Sequence, residues 1–84
     1  MKTQAEIYQK IKTILLIIAN VDEEDVQLAS TFKDSIGLDS IDQAELMLEC
    51  EIEFDIIIPD NEIEEVKTIE ELIGYIQKKL KEKQ

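Results

Sequence analysis

The chain contains no histidine, and that absence removes a whole class of chemistry. A neutral serine hydroxyl is a poor nucleophile until a base takes its proton, and hydrolases usually recruit histidine for that step. Self-contained Ser-His and Cys-His catalysis are therefore excluded. The one cysteine, Cys50, cannot close an internal disulfide, and there is no Cys/His cluster to hold zinc. The EF-hand pattern is missing as well, so no metal site is expected. Two glycines and one proline leave few breaks in the chain. The longest uninterrupted apolar run, Ile14 to Ala19, falls far short of the roughly 18 residues that a membrane span needs. No signal or transit segment is apparent, and the expected location is the cytoplasm.

What the chain does have is acid. Twenty Asp and Glu against nine Lys and Arg give a formal charge of −11. Such a surface repels phosphate backbones and anionic lipid, which argues against nucleic acid and membrane as partners and steers basic proteins toward it. With 84 residues, 44% of them hydrophobic, the chain predicts one domain over residues 1–84. A domain of that size buries roughly 60% of its unfolded surface.

Helix signatures punctuate both ends. Thr3-Gln4-Ala5-Glu6 is a capping-box pattern, and Ile7, Ile11, Ile14, Leu15 and Ile18 follow at helical spacing, which predicts a helix over residues 3–19. The pattern returns at Thr68-Ile69-Glu70-Glu71, with Leu72, Ile73, Ile76 and Leu80 behind it and lysines at the end, which predicts a last helix over 68–81. Between them, Asp39 can cap a helix running to about Asp55. Ile56-Ile57-Ile58 then reads as an extended connector ending at Pro59, and Asp60 as the cap of a short helical turn carrying Ile63 and Val66. The stretch from Asn20 to Leu38 lacks strong periodicity and is long for a loop, pinned by Phe32, Ile36 and Leu38. Either it has a functional use or it hides a short helix.

The central helix has two apolar faces. Gln43, Leu46, Met47, Cys50 and Phe54 fall within an arc of roughly 100°, an ordinary core face. Ile41, Ala44, Leu48 and Ile52 cluster on nearly the opposite side, where a monomer has no core. Glu45 and Glu49 border that second strip on one side, Glu51 and Asp55 on the other. An apolar strip framed by carboxylates suits a basic partner with an apolar centre, although scattered exposed aliphatics on a solvated acidic face have the same pattern.

Ser40, between Asp39 and Asp42, starts this helix at the positive end of its dipole. A phosphate ester there would meet unpaired backbone N–H groups. A helix-starting serine is also a common structural feature.

The anchors Phe32-x-x-x-Ile36-Gly37-Leu38-Asp39-Ser40-Ile41-Asp42, Glu45-Leu46, Phe54-Asp55-x-x-Ile58-Pro59-Asp60, Thr68-Ile69 and Tyr75-Ile76 together resemble the acyl carrier proteins of dissociated fatty acid synthesis, over essentially the whole chain. The resemblance implies an all-α fold: a small four-helix bundle with a short third helix and a long loop between helices one and two. It implies that a phosphopantetheinyl transferase moves the 4'-phosphopantetheine arm of coenzyme A onto the Ser40 hydroxyl, supplying magnesium and the base itself. The arm's thiol would hold acyl groups as thioesters for fatty acid synthesis enzymes, which dock through basic patches. The protein itself would be no enzyme. Carried over by position, Asp39, Ile41, Asp42, Ala44, Glu45 and Leu48 match the docking strip, which Ile52 extends where the family commonly has a carboxylate. Phe32, Leu46, Cys50, Ile58, Ile63 and Val66 match the interior that shelters the acyl chain, and read from periodicity alone they are simply core. Ile57 is an unexpected aliphatic, and Ile63 and Leu72 replace residues often small in the family. The alternatives are a specialised carrier for polyketide, D-alanyl or lipid-A-type transfer, a non-carrier acidic helical adaptor and, more weakly, an acidic divalent-ion binder.

Overall fold

The computed structural model describes residues 3–83. The elements are α1 (Gln4–Ile18), a single 3-10 turn (Glu23–Asp25), α2 (Ser40–Phe54), α3 (Asp60–Ile63) and α4 (Ile69–Lys83). Among the described residues there is no strand, only an isolated antiparallel bridge between Thr31 and Thr68. The fold is the small all-α bundle, with a short third helix and a long first loop.

Capping chemistry fixes where α1 and α4 begin. The Glu6 N–H donates to Thr3 Oγ1 at 3.2 Å while the Thr3 N–H reaches Glu6 Oε1 at 3.4 Å. At the other end, the Lys67 and Thr68 N–H groups both donate to Glu71 Oε1 at 3.0 Å, and Glu71 N–H donates to Thr68 Oγ1 at 3.1 Å. Each box satisfies amides that helix geometry leaves without partners. α1 occupies one residue fewer at each end than expected, because Thr3 and Ala19 serve as its caps. α4 runs two residues past the expected end, to Lys83.

Two corrections concern α3, which ends at Ile63 and so does not carry Val66. Asp60 is not a cap: Pro59 holds that position in front of α3, and the Glu62 and Ile63 N–H groups donate to its carbonyl at 3.0 and 3.3 Å, with no side-chain cap. Proline fits there because its fixed φ already suits a chain entering a helix and the cap amide has no helical partner to lose. At the end of α2, Asp55 adopts the left-handed conformation with φ 54°, a role usually taken by glycine.

The core forms where three helices meet. α1 packs on both α2 and α4. It contributes Ile7, Ile11 and Leu15, α2 contributes Leu46, Met47, Cys50 and Phe54, and α4 contributes Ile69, Leu72, Ile73 and Ile76, all buried. Ile56 and Ile58 of the connector turn inward while Ile57 between them points to solvent, the alternation of an extended chain.

The first loop is held more firmly than its lack of periodicity suggests. Val26, Phe32 and Leu38 are buried in the shared core, with Ile36 packed behind them. Ser30, also buried, donates to the Asp25 carbonyl at 2.6 Å and accepts from the Gln27 N–H at 2.9 Å. The loop then serves α4: Ile69 N–H donates to the Ser30 carbonyl at 3.0 Å and Glu70 N–H to the Leu28 carbonyl at 2.8 Å. Backbone groups that would otherwise be orphaned in both segments satisfy each other.

Candidate functional site

Ser40 is the first residue of α2, exposed, and no hydrogen bond engages its hydroxyl among the described residues. Its surroundings are tied down by hydrogen bonds and burial on the inner side. Asp39 Oδ1 accepts the Asp42 N–H at 2.8 Å and closes the helix start. Leu38 is buried, and its N–H donates to the Phe32 carbonyl at 2.8 Å. Gly37 supplies the reversal before it with φ 82°, a conformation that strains side-chain-bearing residues, and the space a Cβ would occupy is open. The Ser40 and Ile41 amides lie in the first turn, where helix geometry provides no acceptor.

One turn along the same side of α2 lies Gln43, about 4.5 Å further on along the axis. Gln43 lines a cleft of about 420 Å³, whose apolar wall comes from Phe32, Ile63 and Val66 and whose rim carries Lys33, Asp34, Glu64 and Lys67. Of the six residues expected around the interior, Phe32, Ile63 and Val66 meet at this cleft. Leu46, Cys50 and Ile58 lie in the packed core and do not line it. Gln43, expected on the core face, sits half-buried at the cleft, its side-chain amide donating to the Leu38 carbonyl at 3.3 Å. Burial first, with Glu49 and Glu53 nearby, pushes the Cys50 thiol up to about 12, so at neutral pH it is protonated and inert.

The opposite face of α2 is bare. Ile41, Leu48 and Ile52 are 73%, 54% and 67% exposed. Ala44 and Glu45 lie with them at the surface, Asp39 is exposed at the cap and Asp42 is half-buried. The two sides of the carboxylate frame differ. Glu51 accepts the Ile58 N–H at 2.8 Å, and Asp55 pairs with Lys83 at 2.9 Å. Glu45 and Glu49 have no such partner among the described residues. No three Cys, Asp or Glu side chains converge as a metal set among those residues either.

Sequence reasoning missed a contact that steadies the cleft. The Tyr75 hydroxyl donates to Glu62 Oε1, and Lys79 Nζ lies 3.3 Å from the same oxygen, 5.5 Å from the centre of the Tyr75 ring. Glu62 belongs to α3, so this cluster ties α3 to α4. The Tyr75 hydrogen bond, opposed by some burial and aided by Lys79, holds the Glu62 carboxyl below the usual carboxylate range. No local pattern signals a pair thirteen residues apart.

A family model described as the phosphopantetheine attachment site matches residues 9–76. The chain belongs to the acyl carrier protein family. It is 39% identical over 77 residues to the acyl carrier protein of Chlorobium phaeobacteroides, covering 92% of this chain and 99% of the relative. Over the same shares it is 40% identical to that of Chlorobium phaeovibrioides. The acyl carrier protein of Petrotoga mobilis is 35% identical over 78 residues, 93% of this chain and 92% of the relative. Members of this family are carriers rather than catalysts, and phosphopantetheine is the group they hold. The structure fits such a group: an unengaged, exposed primary hydroxyl stands at a helix start, with open space beside Gly37 and an apolar cleft one turn away. No helix among the described residues is long and apolar enough to cross a membrane.

Proposed function

We propose that Ser40 is the residue that takes the 4'-phosphopantetheine arm, and that this chain carries acyl intermediates between the enzymes of fatty acid synthesis. The observation that supports this most directly is the position of Ser40: a free hydroxyl at the first residue of α2, one turn from the mouth of an apolar cleft.

Chemistry divides between the chain and its partners. The arm, when attached, supplies a terminal thiol that holds the acyl group as a thioester. Ser40 supplies the oxygen of the phosphodiester, and the first-turn amides of α2 partly offset its negative charge. Asp39 and Asp42 repel that charge, so they are read as contacts for cationic partners. Because no histidine or comparable base stands by Ser40, the transferase removes its proton. Phe32, Ile63 and Val66 offer apolar surface to the front of the cargo, with Leu46, Cys50 and Ile58 behind them as core that has to shift for a longer chain.

Docking is assigned to Asp39, Ile41, Asp42, Ala44, Glu45, Leu48 and Ile52. Burying the exposed aliphatics supplies affinity, and the carboxylates orient a basic partner and speed encounter. Phosphopantetheinyl transferase and synthesis enzymes with basic patches are the partners; the charge of −11 disfavours nucleic acid and anionic membranes. The chain acts as a cytoplasmic monomer and catalyses nothing itself.

Incubation with coenzyme A, magnesium and a broad-specificity phosphopantetheinyl transferase should raise the intact mass by one arm, and Ser40→Ala should abolish the gain. A wild-type chain that stays unmodified would defeat the assignment.

A further inference from the structure

The end of α1 beside α2 carries a feature that the carrier function does not require. A trough of about 310 Å³ runs between the two helices, lined by Ile14, Ile17 and Ile18 on one side and Glu45 and Glu49 on the other. Ile14 is buried in its floor and Ile18 half-buried, whereas Ile17 is 78% exposed, the largest value for a large hydrophobic residue among the described residues.

Charge is unbalanced at this place. Glu45 and Glu49 are four residues apart on one helix face, where like charges repel. The cations of α1 do not answer them: Lys10 pairs with Glu53 at 3.4 Å and Lys12 with Glu23 at 3.4 Å. No Lys or Arg occurs between Thr13 and Phe32. The trough thus combines an aliphatic wall and floor with two carboxylates and no internal counter-charge among the described residues.

We propose that this trough receives an arginine side chain from a basic partner protein, extending the docking surface of α2 onto α1. The inference rests on the carrier reading above for the identity of the surface, since Glu45 separates the trough from the Ile41/Leu48 strip and a partner covering the strip reaches it directly. Its chemistry is specific. An aliphatic stem can lie along Ile17 and Ile18 while a cationic head reaches the two carboxylates. Arginine suits this better than lysine, because a planar guanidinium spans two acceptors and is more weakly hydrated than an ammonium.

The test uses the full-length chain with labelled isoleucine methyl groups, titrated with Nα-acetyl-arginine amide at millimolar concentrations. The Ile17 and Ile18 methyl signals should shift saturably. Nα-acetyl-citrulline amide, of nearly the same shape without the charge, should leave them in place, and Glu49→Gln should weaken the arginine response roughly threefold. The proposal is overturned if those methyls stay fixed, if citrulline moves them equally, or if the response spreads evenly to the surroundings of Asp39 and Glu53. Ser40 loading, measured on the same preparation by mass, separates the two readings. A chain that loads but ignores arginine keeps its carrier role and loses the trough; one that binds arginine but never loads does the reverse.

Discussion

Lys83 Nζ lies 2.9 Å from Asp55 Oδ2, joining the last turn of α4 to the left-handed residue that ends α2. Asp55 thus has two separate duties, one of its backbone and one of its carboxylate, and substitutions can divide them. Asp55→Asn tolerates the left-handed conformation but loses the ion pair, so its thermal midpoint should depend less on salt than that of the parent. Asp55→Val loses both, and the backbone alone should cost about 1–2 kcal/mol in chemical unfolding. The Lys83 hydrogen bond holds the Asp55 carboxyl below its ordinary value, so the pair's contribution is present above the ordinary carboxylate range and is lost as pH falls.

Cys50 gives a clean chemical readout. With its thiol pushed up to about 12 chiefly by burial, the folded chain without its arm should resist alkylation at pH 7.5 and react fully in denaturant. After loading, one thiol per chain should react quickly, on the arm and not at Cys50. Rapid labelling of Cys50 in the folded, unloaded protein would contradict the packing around α2.

The Glu62–Tyr75 contact predicts a local effect. Tyr75→Phe should speed amide exchange at Glu62 and Ile63 while leaving the middle of α1 unchanged, because α3 loses one of its two polar ties to α4 and keeps only the Lys79 ion pair. Its pH window follows from two displaced groups. Glu62 is held low by the Tyr75 hydroxyl, so its contribution disappears as pH falls through that lowered value. Tyr75 is raised, by burial first and by Glu62 second, so the bond survives until pH climbs beyond the ordinary phenol range. Exchange at α3 should therefore be slowest between those limits, after correction for intrinsic rates.

Phe32 stands where core and cleft meet, 2% exposed. Phe32→Ala should cost about 3–5 kcal/mol of stability, whereas Ser40→Ala at the exposed helix start should stay within about 0.5 kcal/mol. Denaturant titration of both variants checks the pair.

Leu48→Glu tests the outer face of α2. At 54% exposure its removal should leave the unfolding midpoint nearly unchanged. The KM of the transferase for this chain should rise severalfold with kcat little altered, the pattern of lost uniform binding.

Which of these features could be read in advance depended on whether their cause was local. The capping boxes of α1 and α4 and the two faces of α2 follow from spacing within a few residues, and the sequence shows them. The order inside the first loop shows only in part: its pins Phe32, Ile36 and Leu38 can be read, but its Leu28 and Ser30 carbonyls are matched by the distant Glu70 and Ile69 amides, which no local pattern signals. At α3 the capping preference of Asp60 competes with the fixed φ of the proline before it, and Pro59 takes the cap. The trough does have a local signal. In the run Ile14-Leu15-Leu16-Ile17-Ile18, five consecutive apolar residues wrap the helix, and a single buried face cannot hold them all. The carrier role is legible only through the anchors from Phe32 to Ile76 taken together, since Ser40, the anchor with the reactive hydroxyl, looks by itself like any helix-starting serine.

The backbone bonds from the first loop to α4 also set the mechanics of the cleft. Phe32 stands on a segment fixed by main-chain hydrogen bonds to Lys67, Ile69 and Glu70, whereas the α3 wall opposite it is tied to α4 through the Glu62 side-chain cluster. If the cleft takes the cargo as proposed, its two walls should yield unequally: the α3 side, held by side chains, should be displaced before the loop side, held by main-chain bonds, and before the core behind them.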